Sequence, residues 1–358
     1  MTTPSTIAAS PEALTPEWLT DALASAGLLD GATVVAVNAS SVGSGQMCDS
    51  VRLRLTYDRR TDAPATVIAK LPAADPSSRA TAMALRNYEI EVRFYQQLAP
   101  ELPVRTPHVH YADIDVATAS FVLLLEDLAP AQPGDQLTGC SLDHAVVAVD
   151  ELVKLHAPRW DDASLAELEW LHRDPEASRM FMAGLLPNLW AGFRERYEDR
   201  LGADVHETGD ALFDALDQYL AADTTPWTVT HGDYRLDNLL FGDGSVAVVD
   251  WQTSAHGPAL GDVAYFIGAG LLPDDRRAHE EDLVRRYHDG IVAAGVRDYD
   301  WDRCWTDYRR GTWGGLIMAI AASMLVERTE RGDDMFMVMA HRHARHVLDL
   351  DAIRLLKD

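Results

Sequence analysis

Apolar positions recur along this chain at two different periods, and the change of period divides it. Near the start, Thr15-Pro16-Glu17 offers a cap residue and then proline in the first turn, which predicts a helix over 16–27. Stretches rich in β-branched residues follow at 33–42, 51–57 and 66–71, with Gly43-Ser44-Gly45 between the first two and a turn at 58–64 before the third. Over 77–98 the spacing becomes helical, with Tyr88, Val92, Tyr95 and Ala99 at three- and four-residue intervals. Strands at 108–113 and 120–125 complete a predicted five-stranded lobe with one long helix after its third strand. Beyond a polar connector at 129–138, helical periodicity dominates at 142–156, 177–197, 210–221, 274–294, 301–327 and 334–356. One β-rich island at 227–251 interrupts those helices.

The island carries the chemistry. Two short apolar runs, 238–241 and 246–249, flank Gly242-Asp243-Gly244, a hairpin signature. A hairpin brings its own ends together, so Asn238 at one end and Asp250 at the other are predicted to be neighbours. One carboxylate, one amide oxygen and water suit Mg²⁺, a hard ion with oxygen ligands. Asp233 stands five residues before Asn238 on the entering loop, where an aspartate can accept the proton of an attacking hydroxyl.

These residues resemble a known signature. His231-Gly232-Asp233 with Asn238, and Asp250 after an apolar strand, is similar to the pattern of aminoglycoside phosphotransferases and choline kinases. Gly257-Pro258 with Gly261-Asp262-Val263-Ala264 looks like the same family's downstream segment. The set also resembles the His-Arg-Asp, Asn and Asp-Phe-Gly elements of protein kinases, with Gly232 in place of the arginine and Asp250-Trp251-Gln252 in place of the last triplet. Those departures point to the small-molecule branch. Tyr88 to Tyr95 and the Leu-Glu-Asp-Leu run at 125–128 resemble ecdysteroid-kinase-like relatives. The resemblance implies an α+β, protein-kinase-like two-lobed fold: a small β-sheet lobe over 1–127 and a larger helical lobe over 128–358. It implies ATP and Mg²⁺ as cofactors and transfer of the γ-phosphoryl group to the hydroxyl of a small molecule. Asp233 would be the catalytic base and Asn238 and Asp250 the metal ligands. By the same resemblance the His231 ring holds the loop to nearby backbone, Asp262 caps a helix or braces the loop, and His156 packs.

The nucleotide side follows from the same likeness. Lys70 ends the apolar strand Thr66-Val67-Ile68-Ala69, like the lysine of the kinase Val-Ala-Ile-Lys pattern. Glu91 is its expected partner, with Glu89 the rival, because Phe94, Tyr95 and Leu98 follow Glu91 at three, four and seven residues. Gly43, Ser44 and Gly45 occupy the place of a phosphate loop, whose amides cradle oxygens. The backbone at Glu126, Asp127 and Leu128 resembles the hinge that bonds adenine.

Composition narrows the partners. The 56 acidic against 31 basic residues give a net charge of −25, which repels phosphate backbones and anionic membranes, so neither nucleic acid nor membrane is an expected partner. No basic leader and no run of about 18 apolar residues is present, and Cys48, Cys140 and Cys304 are widely spaced, which fits a reducing cytoplasm. Two other functions are carried forward: a kinase-like nucleotide-binding module that no longer catalyses, and a metal-dependent hydrolase. His341, His343 and His346 lack the i, i+4 spacing of a zinc helix and are predicted to scatter around a helix surface. Trp301, Trp305 and Trp313 are either core or pocket lining.

Overall fold

A computed structural model describes residues 4, 6–43, 47–222 and 224–356. Its backbone groups into two units: Met1–Glu101 with Thr106–Pro130 and Asp250–Gln252, and Leu102–Arg105 with Ala131–Val249 and Thr253–Asp358.

In the first unit, α1 (Pro16–Ser25) begins at Thr15, whose hydroxyl accepts from Trp18 N at 3.2 Å. The strands β1 (Val34–Ser41), β2 (Cys48–Tyr57) and β3 (Thr66–Pro72) are followed by α2 (Pro76–Ala84) and α3 (Asn87–Arg93), then by β4 (Val109–Asp115) and β5 (Ser120–Glu126). The five strands form one antiparallel sheet in the order β1-β2-β3-β5-β4. Alternation along β2 buries Val51, Leu53 and Leu55, and these meet Leu19, Ala22 and Leu23 of α1 in one apolar cluster. Lys70 lies on β3, the central strand, opposite Ser50 on one side and Leu123 on the other.

The single helix expected over 77–98 is three pieces. After α2, Arg86 takes the left-handed conformation at φ 60°, and α3 then leads into a π-helical stretch, Phe94–Leu98. The reversal turns a new face inward, burying Asn87, Tyr88, Ile90, Glu91 and Val92. Asn87 Nδ2 donates to Gln252 O at 2.9 Å, and Trp251 stacks on Phe94 with centroids 3.9 Å apart.

The second unit opens with β6 (Gln132–Pro133) and continues through α4 (Leu142–His156), α5 (Pro175–Arg196), α6 (Ala203–Asp214) and α7 (Leu216–Ala221). The island then provides β7 (Trp227–Thr230), β8 (Leu239–Gly242), β9 (Ser245–Val248) and β10 (Ala255–Pro258). Helices α8 (Ala259–Gly270), α9 (Pro273–Ala293), α10 (Trp301–Leu325) and α11 (Glu330–Asp349) complete it. β8 and β9 pair as expected, with Asp243 and Gly244 both at positive φ in the turn. The helix expected at 210–221 is α6 and α7, separated at Ala215.

Further features depart from the sequence expectation. β10, which pairs with β7, and α8 were not anticipated as elements. All but one of the α8 residues are buried, so it has no polar face to give a helical period. His343 and His346 are also fully buried, not on the surface, because α11 packs into the core that contains Tyr265, Trp313 and Leu316. Trp313 belongs to that core.

Candidate active site

In the first unit the structure gathers Lys70, Glu91 and Asp250. Lys70 Nζ donates to Glu91 Oε1 and Oε2 at 2.6 and 2.7 Å and to Asp250 Oδ1 at 3.0 Å. The rival Glu89 is occupied elsewhere, accepting from Arg86 Nε at 3.0 Å. Burial alone would lower the Lys70 pKa, but the charges of Asp250 and Glu91 outweigh it and hold the ammonium well above the ordinary lysine value. Burial pushes the Glu91 carboxyl up despite Lys70, helped by the charge of Asp250. Burial also pushes the neighbouring Cys48 thiol up to about 12, which makes it an unreactive thiol. Two carboxylates around one ammonium leave the cluster one negative charge in excess.

Asp250 adopts φ 67°, a left-handed conformation costly for a residue with a side chain. Its side chain is 26% exposed, so a ligand can reach it. Gln252 Nε2 donates to its second oxygen at 3.4 Å.

In the second unit, the loop after β7 is braced from several sides. Asp262, at the start of α8, accepts from His231 N at 2.6 Å and Gly232 N at 2.9 Å. Burial raises the Asp262 carboxyl, but His156, whose Nε2 lies 3.3 Å away, and His231 more than offset this and keep it below the ordinary value. His231 Nδ1 accepts from Asp233 N at 3.2 Å, which puts the ring proton on Nε2, 3.0 Å from Val249 O. Gly232 has φ 79°, and a Cβ there would sit 2.5 Å from Thr253 O, so this corner requires glycine. Thr253 Oγ1 donates to His231 O at 2.8 Å, tying the loop from the other side.

Asp233 is held by three donors. Asn238 Nδ2 and Arg235 Nε donate to Oδ2 at 3.0 and 3.1 Å, and Tyr265 OH donates to Oδ1 at 2.7 Å. Asn238 sits in a short 3₁₀ turn before β8, and its backbone carbonyl accepts from Val249 N at 3.0 Å. Because the Asn238 amide nitrogen is committed, its oxygen is the atom left for a ligand. Arg235 also donates to Asp237 and lies 3.2 Å from Met335 Sδ. Sequence reasoning missed Arg235 and Tyr265. The signals available were a cation two residues after Asp233 and a tyrosine three residues after Asp262, which a helix places on the same face.

The other predicted residues belong to the first unit. β5 ends at Glu126, whose amide donates to His108 O at 2.8 Å, and Asp127 and Leu128 follow it. The Asp127 carboxylate accepts from Arg52 at 2.7 and 3.0 Å, so its side chain fastens β2 to the end of β5. Gly43 lies at a bend after β1 with φ 75°; Ser44 and Gly45 lie outside the described residues. Among the described residues no group of three or more His, Cys, Asp or Glu is arranged to hold a metal, and no helix is long and apolar enough to cross a membrane.

Comparison with solved structures defines the fold. Choline kinase from Cryptosporidium parvum Iowa II aligns with a TM-score of 0.54 at 12% identity, over 88% of this chain and 89% of that one. A choline/ethanolamine kinase family protein from Mesorhizobium loti aligns at 0.51 and 16% identity, over 98% and 97%. Macrolide 2'-phosphotransferase from Brachybacterium faecium aligns at 0.50 and 17% identity, over 90% and 97%. The architecture is therefore the α+β, two-lobed, protein-kinase-like fold. The sequence profile of the ecdysteroid kinase-like family matches residues 46–295, and the chain belongs to that family. A 49-residue stretch is also 47% identical to mouse acyl-CoA dehydrogenase family member 10, spanning 13% of this chain and 5% of that protein.

Proposed function

We propose that the protein is a small-molecule kinase that transfers the γ-phosphoryl group of ATP to a hydroxyl of its substrate. The observation that carries the reading is the buried Lys70–Glu91 pair with the partly exposed Asp250 beside it. A fixed ammonium is what the phosphates of a nucleotide need, and an excess carboxylate beside it is what a divalent cation needs. Membership of the ecdysteroid kinase-like family and the kinase-like fold support the same reading.

In this reading Lys70 holds the phosphates and Glu91 fixes Lys70. The donor chemistry fits magnesium: Asp250 offers a partly exposed carboxylate and Asn238 an amide oxygen whose partner nitrogen is already used. Mg²⁺ bound by these two would neutralise charge on the phosphates. Gly43, Ser44 and Gly45 are the residues assigned to the phosphates, and the backbone of the stretch Glu126–Leu128 takes the adenine. Asp233 orients the acceptor hydroxyl and takes its proton as the new P–O bond forms. Its three donors fix the carboxylate before substrate arrives, which lowers the reorganisation the reaction requires. Residues 1–127 serve the nucleotide and 128–358 the acceptor, in a cytoplasmic protein whose three cysteines are free.

Melting curves with and without Mg-ATP test nucleotide binding. A ligand at one hundred times its dissociation constant stabilises by about 2.7 kcal/mol. The wild-type melting temperature should rise with Mg-ATP and that of Lys70→Ala should not. An unresponsive wild-type protein counts against the reading.

A further inference from the structure

We infer that Tyr265 is a positioning residue for the phosphotransfer step, acting through Asp233. The inference rests on the kinase reading above and assigns a role that neither the family signature nor the metal and nucleotide groups supply.

Tyr265 OH donates to Asp233 Oδ1 at 2.7 Å, while both bonds from Arg235 and Asn238 go to Oδ2. Tyr265 is thus the group that holds the first oxygen, and without it the carboxylate can swing about its remaining bonds. The donor comes from α8, the helix that also carries Asp262. One face of that helix therefore grips the loop twice: Asp262 takes the amides of His231 and Gly232, and Tyr265 takes the Asp233 side chain.

Tyr265 is itself immobilised. Its ring is parallel to the His343 ring, with centroids 5.5 Å apart and an interplanar angle of 0°. His343 is wholly buried, and both its ring nitrogens lack a hydrogen-bond partner among the described residues. It fits only because positions 268 and 315 are glycine: a Cβ at Gly268 would lie 2.7 Å from its Nδ1, and one at Gly315 would lie 2.1 Å from its Cε1. A wedged flat ring behind Tyr265 leaves the hydroxyl one place to point.

The alternative is that Tyr265 is a core residue whose hydroxyl takes the nearest acceptor. Tyr265→Phe separates the two, since it keeps the ring and its packing and removes one oxygen. Positioning predicts that kcat falls about tenfold or more, with KM for ATP and for the acceptor within about twofold of wild type. In an Asp233→Asn background, adding Tyr265→Phe should change the residual turnover by less than about twofold, because no carboxylate remains to be held. Melting temperatures of the same four proteins read the bond without turnover, and the double variant should lose no more than the larger single loss. Unchanged kcat in Tyr265→Phe, losses that multiply in the double variant, or additive melting losses would each overturn the inference while leaving the kinase reading intact. A wild-type protein that phosphorylates none of the acceptors tested overturns the kinase reading and this inference with it.

Discussion

Gly232 shows how much of the site turns on one missing carbon. Its φ of 79° and the 2.5 Å approach to Thr253 O leave no room for a Cβ against rigid backbone. Gly232→Ala should shift Asp233 and lower kcat at least tenfold, with a lower melting temperature; an alanine protein with normal turnover would show that the corner is not needed. Lys70 poses the opposite case, a residue whose charge matters more than its shape. Lys70→Met leaves Glu91 and Asp250 facing each other without a cation. Breaking a buried pair this way costs on the order of 3 kcal/mol. Catalytic efficiency toward ATP should fall roughly a hundredfold or more, read from initial rates at varied ATP. A variant within threefold of wild type would remove Lys70 from the phosphate-binding role.

At the scale of elements, α11 carries a testable titration. His343 and His346 are both fully buried, and their pKa values are lowered, chiefly by burial, with His343 well below the ordinary value. His346 Nε2 faces Tyr308 OH at 2.9 Å and Glu280 Oε2 at 3.2 Å, and Glu280 also accepts from Arg276. Above the unfolded value near 6.5 both states are neutral and no penalty exists. As pH falls below that value the unfolded chain gains protons that the folded chain excludes, so stability falls by up to about 1.4 kcal/mol per pH unit for each such histidine. Melting temperatures should therefore fall between pH 6.5 and 5, and His343→Leu should flatten part of that fall. A variant with the full wild-type slope would contradict the assignment.

The same elements show what the sequence reveals and what it hides. The five strands, the Gly-Asp-Gly hairpin and the loop at 231–238 were legible because alternation and turn chemistry are local. The choice of Glu91 over Glu89 was legible from the apolar residues that follow it. The break at Arg86 was not, because Leu85-Arg86-Asn87 contains neither glycine nor proline and the reversal is held by tertiary contacts such as Asn87 to Gln252. Helix α8 was hidden for a different reason. Periodicity needs a polar face, and α8 has almost none, so Tyr265 and its bond to Asp233 stayed out of sight.

For the whole molecule, the short segment Asp250–Gln252 stands out. After Val249 the chain leaves the second unit for Asp250–Gln252 and then returns. Those residues are bound by the first unit's own side chains: Asp250 by Lys70, Trp251 by Phe94 and Gln252 by Asn87. The proposed metal ligand is thus held by the proposed phosphate-binding lysine. The net charge of −25 adds that an acceptor carrying positive charge is drawn to the protein, an attraction that salt screens. Among acceptors that are turned over, kcat/KM for cationic alcohols should fall more steeply with added salt than for neutral ones. Equal salt dependence would separate surface charge from substrate capture.

The most direct test is ADP formation measured with Mg-ATP across a panel of hydroxyl compounds, run in parallel on wild type and Asp233→Asn, with phosphorylated product identified by mass. Acceptor-dependent ADP release is expected, matched mole for mole by phosphorylated alcohol and reduced about a hundredfold or more in Asp233→Asn while nucleotide binding is kept. ADP release that is independent of any acceptor, or equal in the two proteins, would contradict it.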